Sequence, residues 1–265
     1  MIVFVDALPE SLEGGVRVGP YSTARPGALL RVVPNVGRFL ARDGTTIEVF
    51  AEPGADPAAV DALTHGGVYG ALIHQRGELP LHASTLVSPD RTRAVAIAGD
   101  SGAGKSTTAF ELIRRGWMML SDDLTRVTIE DGRAIAHPGR ATVRLMRDAC
   151  DAFALDVDSL QPAPNWPDKF IANVDRWNEP VALSALFALK RSAEPFKVTA
   201  ATGIAAITLL ASQTYRLHYV AALGCTKSHL QLITAMASST RVMSIRGNAT
   251  VSEIAGVIQS VYCDR

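Results

Sequence analysis

One stretch of nine residues carries the residue types that bind a phosphate chain: Gly99-Asp100-Ser101-Gly102-Ala103-Gly104-Lys105-Ser106-Thr107. It fits the pattern G-x-x-x-x-G-K-[ST], in which glycines let backbone N–H groups curl around phosphate oxygens. Lys105 would place a positive charge near the outer phosphates, and the hydroxyl of Ser106 could bind a magnesium ion. Asp100 puts a negative charge inside the loop, where its side chain could instead bond backbone amides and shape the turn.

Two adjacent carboxylates, Asp122 and Asp123, follow an apolar segment, Trp117–Leu120. If this segment lies beside the strand that precedes the loop, both carboxylates emerge at the sheet edge that carries the loop. One could then bind magnesium together with Ser106, and the other could accept a proton from an incoming hydroxyl. The alternative is that both only turn the chain at a strand end. Because adjacent strand residues face opposite sides, one of the pair could have only a supporting role.

Other polar residues are more ambiguous. His82 begins the strand before the loop, where its side chain would point either to the loop edge or away from it. Arg140, Arg144, Arg147 and Lys169 form a basic group that either holds an outer phosphate or an acidic acceptor, or is a solvated face.

The elements around the loop are predicted from short-range patterns. Arg93–Ala98 is typical of a buried strand, and Ser106–Gly116 is typical of a helix that ends at Gly116. A strand, a glycine loop and a helix N-terminus in this order form an anion site through backbone N–H groups and the helix dipole. Leu81–Val87 is strand-like, and the turn at Ser88–Thr92 predicts an antiparallel hairpin into the loop.

The chain is predicted to divide into an N-terminal α+β module, residues 1–78, and a domain with the phosphate loop, residues 79–265. In the module, Ala28–Val33 and Thr45–Phe50 are strand-like, Asp43-Gly44 favours a hairpin turn, and Asp56-Pro57 begins a helical pattern that continues to about Gln75.

Further along, Val143–Phe153 is compatible with a helix, and the three prolines of Gln161–Pro167 predict a loop. The remaining strands and helices are expected at Val181–Leu189, Ile204–Ser212, Lys227–Ala237, Val242–Ile245 and Val251–Tyr262.

Composition excludes several classes of protein. In 265 residues, 26 Lys and Arg balance 26 Asp and Glu, and this lack of basic excess disfavours nucleic acid or an anionic membrane surface as a partner. The scattered cysteines Cys150, Cys225 and Cys263 are expected to be reduced thiols. The longest apolar runs are about half the ~20 residues of a membrane span, and no signal peptide is recognised, so we expect a soluble, cytoplasmic protein.

The stretch from His82 to Asp123 resembles the catalytic core of the HPr kinase/phosphorylase family. It is still more similar to the smaller HPr-kinase-like proteins found with ribosomally made peptides, such as lasso peptide precursor kinases. The matching residues are Leu81-His82-Ala83-Ser84, Gly99–Thr107, Glu111-Leu112, Arg115-Gly116 and Ser121-Asp122-Asp123.

This resemblance implies an α/β fold, a P-loop kinase core of the HPr kinase and phosphoenolpyruvate carboxykinase type with a mixed sheet, preceded by a small β-rich module. It implies ATP, Mg²⁺ and a serine hydroxyl on a peptide or small protein, and a homo-oligomer of unspecified size. By position, Asp123 matches the proton acceptor, His82 an active-site histidine, and Lys105 and Ser106 the phosphate and metal contacts. With Asp123 as the base, Asp122 is the member of the acidic pair that we expect to hold magnesium together with Ser106.

The chain also departs from the family. The second metal-binding acid has no clear match, and residues 138–147 carry arginines in about that region. The motif for reversing the reaction with phosphate is not recognisable, so the resemblance extends to kinase and not to phosphorylase activity. Alternatives are a small-molecule kinase on the same fold, a nucleotide-sensing regulator without transfer, and, by fold analogy only, carboxykinase-like decarboxylation.

Overall fold

The computed structural model describes residues 1–163 and 166–263. These residues form two compact units: Met1–Pro80 with Thr214–Leu232, and Leu81–Gln213 with the chain from Ile233 onward. No helix among the described residues combines the length and the apolar character that crossing a membrane requires.

The first unit is built on a sheet with the order β1-β6-β5-β4-β3-β2, in which only the β1–β6 pairing is parallel among the described strands. The strands are β1 (Ile2–Phe4), β2 (Val16–Gly19), β3 (Ser22–Arg25), β4 (Ala28–Val33), β5 (Gly37–Arg42) and β6 (Thr46–Ala51). The helices are α1 (Pro57–Leu63) and α2 (Tyr69–Gln75), joined by a π-helical segment at Thr64–Val68.

Local sequence signals explain this unit. Asp43 and Gly44 both have positive φ, 55° and 65°, which closes the β5–β6 hairpin as predicted. The carboxylate of Asp56 accepts the N–H of Ala58 and caps α1. The helical pattern is interrupted at Gly66, whose backbone is not helical.

The second unit contains the phosphate loop, and β7 (Leu79–Leu81) runs across the boundary between the units. Its further strands are β8 (Ala83–Val87), β9 (Ala94–Gly99), β10 (Met118–Ser121), β11 (Thr125–Glu130), β12 (Arg133–Ala136), β13 (Val143–Met146), β14 (Gln161–Ala163), β15 (Trp166–Ala172), β16 (Val181–Lys190), β17 (Lys197–Ala201) and β18 (Arg241–Arg246). Its helices are α3 (Lys105–Arg114), α4 (Arg147–Ala152), α5 (Gly203–Ser212) and α7 (Val251–Cys263), while α6 (Thr226–Ser239) begins in the first unit.

The long apolar strand β16 organises the main sheet. It pairs in parallel with β9 on one side and β18 on the other, and its first residues pair antiparallel with β12. The hairpin of β8 and β9 is antiparallel, as predicted, and β10 adds antiparallel to β8. Parallel and antiparallel pairings therefore coexist, which confirms the predicted α/β class with a mixed sheet.

A single core cluster fixes the strand that carries the loop. Ile97 of β9 and its partner Phe187 of β16 are fully buried, together with Leu112 of α3 and Ile258 of α7. At the end of α3, Gly116 has φ 90° and ends the helix where the sequence predicted.

The segment Trp117–Leu120 lies in the same sheet as β9, but β8 lies between them and pairs with its strand, β10. Two local expectations were wrong. Val143–Phe153 is a strand followed by a short helix, because residues 143–146 pair with β15. The expected loop at Gln161–Pro167 begins with the edge strand β14, where Pro162 needs no ladder bond; residues 164–165 of that expectation lie outside the described residues.

Truncating Ile97 tests whether this core supports the loop strand. Ile97→Ala removes a fully buried side chain two residues before Gly99, and we expect a loss of about 2–5 kcal/mol in the free energy of unfolding. The control Ile204→Ala truncates the same residue type where it is 83% exposed, and its effect should stay within about 0.5 kcal/mol. Urea denaturation measures both, and equal losses would contradict this assignment of the core.

Candidate active site

The phosphate loop is held open by glycines that no other residue could replace without strain. Gly99 has φ 139°, and a Cβ atom there would lie 2.4 Å from the carbonyl oxygen of Leu189. Gly104 has φ 95° and begins α3 without any side-chain cap. Because the first N–H groups of a helix have no partner within the helix, this end of α3 offers donors and the positive end of a dipole to an anion.

Lys105 stands at the centre of the site. Its ammonium donates to the carbonyl oxygens of Gly99 at 2.7 Å and Asp100 at 3.2 Å, and lies 3.3 Å from Nε2 of His82. Burial lowers the pKa of Lys105, and the carboxylates of Asp123, Asp122 and Asp100 oppose this effect. The ammonium therefore lies in a partly desolvated position where its charge interacts strongly with nearby anions.

His82 connects this lysine to the acidic pair. Its Nδ1 lies 3.0 Å from the backbone oxygen of Asp123 and 3.3 Å from that residue's Oδ1. Because Nδ1 faces two oxygens and Nε2 faces an ammonium, the neutral tautomer with the proton on Nδ1 fits both neighbours. The structure thus brings Lys105, His82 and Asp123 into one continuous chain of contacts.

Asp123 occupies a strained turn. Its φ is 68°, and the N–H of Leu124 donates to the carbonyl oxygen of Asp122 at 2.8 Å across it. A three-residue turn with a positive central φ is rare and costs energy, and such strain is concentrated at functional sites. The side chain of Asp123 is 52% exposed, so its carboxylate can meet a molecule that arrives from solvent.

Asp122 is the more buried member of the pair. The hydroxyl of Ser84 donates to its Oδ1 at 2.6 Å. Burial, with a smaller effect from the neighbouring Asp123, raises its pKa to about 6, although Ser84 and the charge of Arg144 act in the opposite direction. Since β10 ends at Ser121, the pair does not alternate as strand residues, and both carboxylates contact the same side of the β8 hairpin, at positions 82 and 84.

Buried hydroxyl groups support this turn from beneath. The Thr125 hydroxyl lies 2.6 Å from that of Ser121 and 2.7 Å from that of Thr85, and all three residues are fully buried. A closed network of this kind favours a single geometry. From the other side, the carbonyl oxygen of Arg140 accepts the N–H of Asp122, and Gly139 lies so close that a Cβ atom would be 2.8 Å from Cβ of Ser121.

The basic residues take different positions. Arg147 lies over the ring of Phe170, 4.9 Å from its centroid, which is a structural contact. Arg144 and Lys169 lie close enough to Asp122 and Lys105, respectively, to lower the pKa of each. Arg140 contributes its backbone to the acidic turn, as described above.

Several site residues were missed by the sequence reasoning. Ser84 was noted only within a matching stretch, and its contact with Asp122 depends on the pairing of β8 with β10. Arg191 follows β16, and its guanidinium would lie 3.3 Å from a Cβ atom at Gly104, beside the loop. The signal for Arg191 was a basic pair, with Lys190, at the end of a buried run.

The donor set suits a magnesium ion bound partly by a nucleotide. No group of three or more His, Cys, Asp and Glu side chains within the described ranges could hold a metal alone. Mg²⁺ is usually held by one or two carboxylates and by substrate phosphates. The Asp122 carboxylate and the Ser106 hydroxyl, which lies in the first turn of α3, carry oxygen atoms of the type that this ion prefers. Burial is the main cause of the raised pKa of Asp122, and a bound cation would favour the ionised form of this carboxylate.

Comparison with known proteins finds similarity to HPr kinase/phosphorylases. No protein-family model matches the sequence. The HPr kinase/phosphorylase of Limosilactobacillus reuteri (strain DSM 20016) is 29% identical over 96 residues, which cover 35% of this chain and 30% of that protein. That of Treponema pallidum (strain Nichols) is 44% identical over 45 residues, 17% of this chain and 14% of that protein. The matched segments thus span less than a third of the length of these relatives.

A solved structure, the HPr(Ser) kinase/phosphatase of Coxiella burnetii, matches with a TM-score of 0.36 and 15% identity, over 69% of this chain and 90% of that chain. The curated relatives confirm the predicted resemblance to HPr kinase/phosphorylases. The closer likeness to precursor-peptide kinases stays a prediction.

The pKa of Asp122 can be tested through stability. Because the folded-state pKa of about 6 lies above the ordinary 3.8, the folded protein binds an extra proton between about pH 4 and pH 6. The Asp122 contribution to stability therefore falls as the pH rises through this window, by an amount on the order of 1–3 kcal/mol.

Urea unfolding at pH 4.5 and pH 7 measures this effect. Asp122→Asn should lose this part of the pH dependence and gain stability relative to the wild type at pH 7. Ser84→Ala should extend the window above pH 6, because it removes a hydrogen bond to the charged form. An unchanged pH dependence in Asp122→Asn would contradict the assignment.

Proposed function

We propose that this protein is an ATP-dependent kinase that transfers the γ-phosphoryl group to a serine hydroxyl of a peptide or small protein. The observation that carries the proposal is the chain of contacts from Lys105 in the phosphate loop through His82 to the exposed carboxylate of Asp123. It links a group that binds phosphate to a group that can accept a proton. The similarity to HPr kinase/phosphorylases supports the same reaction class.

In this proposal the nucleotide's phosphates bind to the backbone amides of the loop Gly99–Thr107 and to Lys105. Asp123 accepts the proton of the serine hydroxyl as the serine oxygen forms a bond to the γ-phosphorus. The bond from that phosphorus to the β,γ-bridging oxygen breaks, and ADP leaves with the electron pair. Lys105 offsets the negative charge that develops, and His82 fixes the position of the carboxylate that acts as base.

Ser106 and Asp122 are the residues that would hold Mg²⁺, which when bound neutralises charge on the phosphate oxygens. Ser84 then orients the Asp122 carboxylate by its hydrogen bond. The role of Asp122 in this scheme is distinct from that of Asp123, since one carboxylate is partly buried and the other is exposed.

The acceptor is proposed to be a peptide because Asp123 is open to solvent rather than enclosed. A ribosomally made precursor, such as a lasso peptide precursor, is the acceptor suggested by the sequence resemblance. A small-molecule acceptor and a regulator that binds nucleotide without transfer are the competing outcomes, and mass spectrometry of candidate peptides incubated with ATP separates them.

Two substitutions separate catalysis from nucleotide binding. Asp123→Asn should lower kcat by roughly 10²–10⁴-fold, the usual effect of losing a general base, while the Kd for ATP changes little. Lys105→Ala should weaken both nucleotide binding and turnover. Isothermal titration and a phosphopeptide assay report these quantities, and a loss below tenfold for Asp123→Asn would remove that residue from the role of base.

His82 is expected to act through Asp123. His82→Gln keeps a hydrogen-bond donor but loses the ring that spans from Asp123 to Lys105, so kcat should fall about tenfold, less than in Asp123→Asn. In the double variant His82→Gln with Asp123→Asn, the histidine change should have little further effect, because the base it positions is gone. Fully multiplicative losses would show that His82 acts independently.

A further inference from the structure

The small sheet β13-β15-β14 has one buried and one open face. Side chains that point inward belong to the core of the second unit: Val143, Leu145, Phe170 and Ala172. The residues that alternate with them are half-buried or exposed, and they are Arg144, Met146, Lys169 and Ile171. We call this set the β13–β15 face.

Strand register places the two cations of this face near one another. Met146 pairs with Lys169 and Arg144 pairs with Ile171, so Arg144 and Lys169 are diagonal neighbours on adjacent strands. Like charges at this spacing repel each other, and a negatively charged group bound beside both would relieve this repulsion.

The chain that carries this face leads directly from the candidate active site. β13 begins three residues after Arg140, whose carbonyl oxygen accepts the N–H of Asp122. In agreement with this, the charges of Arg144 and Lys169 act on Asp122 and Lys105, respectively. The β13–β15 face therefore adjoins the position where the acceptor hydroxyl has to meet Asp123.

Two further observations indicate a ligand for this face. Nε of Arg144 is buried without a hydrogen-bond partner among the described residues, although buried donors are normally satisfied. Met146 is 46% exposed and pairs with Lys169, so the face presents an apolar surface next to its cations. A ligand that combines carboxylate and apolar groups would satisfy both.

We propose that the β13–β15 face binds the acceptor, and that the acceptor is a peptide with carboxylates close to the phosphorylated serine and an apolar side chain against Met146. This inference rests on the proposed kinase function. Nucleotide phosphates are a less suitable ligand for the face, because the loop amides, Lys105 and Arg191 already surround the phosphate position. Since the whole chain has a formal net charge of +0, attraction of an acidic peptide depends on this local face.

Matched peptides test the proposal. The probes are two fluorescent serine peptides, one with Asp residues on either side of the serine and one with Asn at the same positions. The readouts are Kd by fluorescence polarisation and kcat/KM by phosphopeptide assay. The wild type should prefer the acidic peptide roughly tenfold, as expected for charge-assisted hydrogen bonds. Lys169→Gln and Arg144→Gln should each reduce this preference severalfold, and Lys169→Glu should favour a peptide with flanking Lys.

The control is Arg133→Gln, which removes an exposed cation from β12 in the same unit. Since β12 pairs with the first residues of β16 and not with the β13–β15 face, this variant should keep the preference unchanged. Equal Kd values for the two wild-type peptides, or substitutions that change only the KM for ATP, would overturn the proposal. Binding preference without any phosphorylated product would instead contradict the kinase function and leave the peptide-binding face supported, so the two failures are distinguishable.

Discussion

The partly desolvated ammonium of Lys105 is the point on which the candidate site depends. Burial disfavours its charge and lowers its pKa, and the carboxylates of Asp123, Asp122 and Asp100 oppose this effect. The acidic turn therefore supports the charge of the loop lysine, and His82 joins the two by contacts on both ring nitrogens.

The turn that supplies two of these carboxylates contains a costly backbone conformation at Asp123. A positive φ at a residue with a side chain is retained only where the surroundings fix it firmly. Here the hydroxyls of Ser121 and Thr125 hold the turn from below, and the Arg140 carbonyl holds the N–H of Asp122. The turn brings the two carboxylates to the same side of the hairpin, which regular strand alternation would prevent.

The sequence predicted those parts of the site that are determined by residues close together in the chain. The loop, its strand and its helix were predictable because glycine spacing and apolar periodicity act over a few residues. The contact of Ser84 with Asp122 depends instead on the pairing of β10 with β8, and pairing partners are not specified by either strand alone. The same holds for Thr214–Leu232, which belongs to the first unit. Its Tyr219 packs in the core of that unit with residues that are distant in sequence.

The arginines of residues 138–147 change the electrostatics that the family resemblance implies. An acid in that region would supply a second carboxylate for the metal beside Asp122. Arg144 instead adds a fixed positive charge that already favours the ionised form of Asp122. A guanidinium has no lone pair to offer and cannot replace that acid as a metal ligand. Since the charge of Lys169 also acts on Lys105, this pattern of positive charge supports the proposed acidic acceptor.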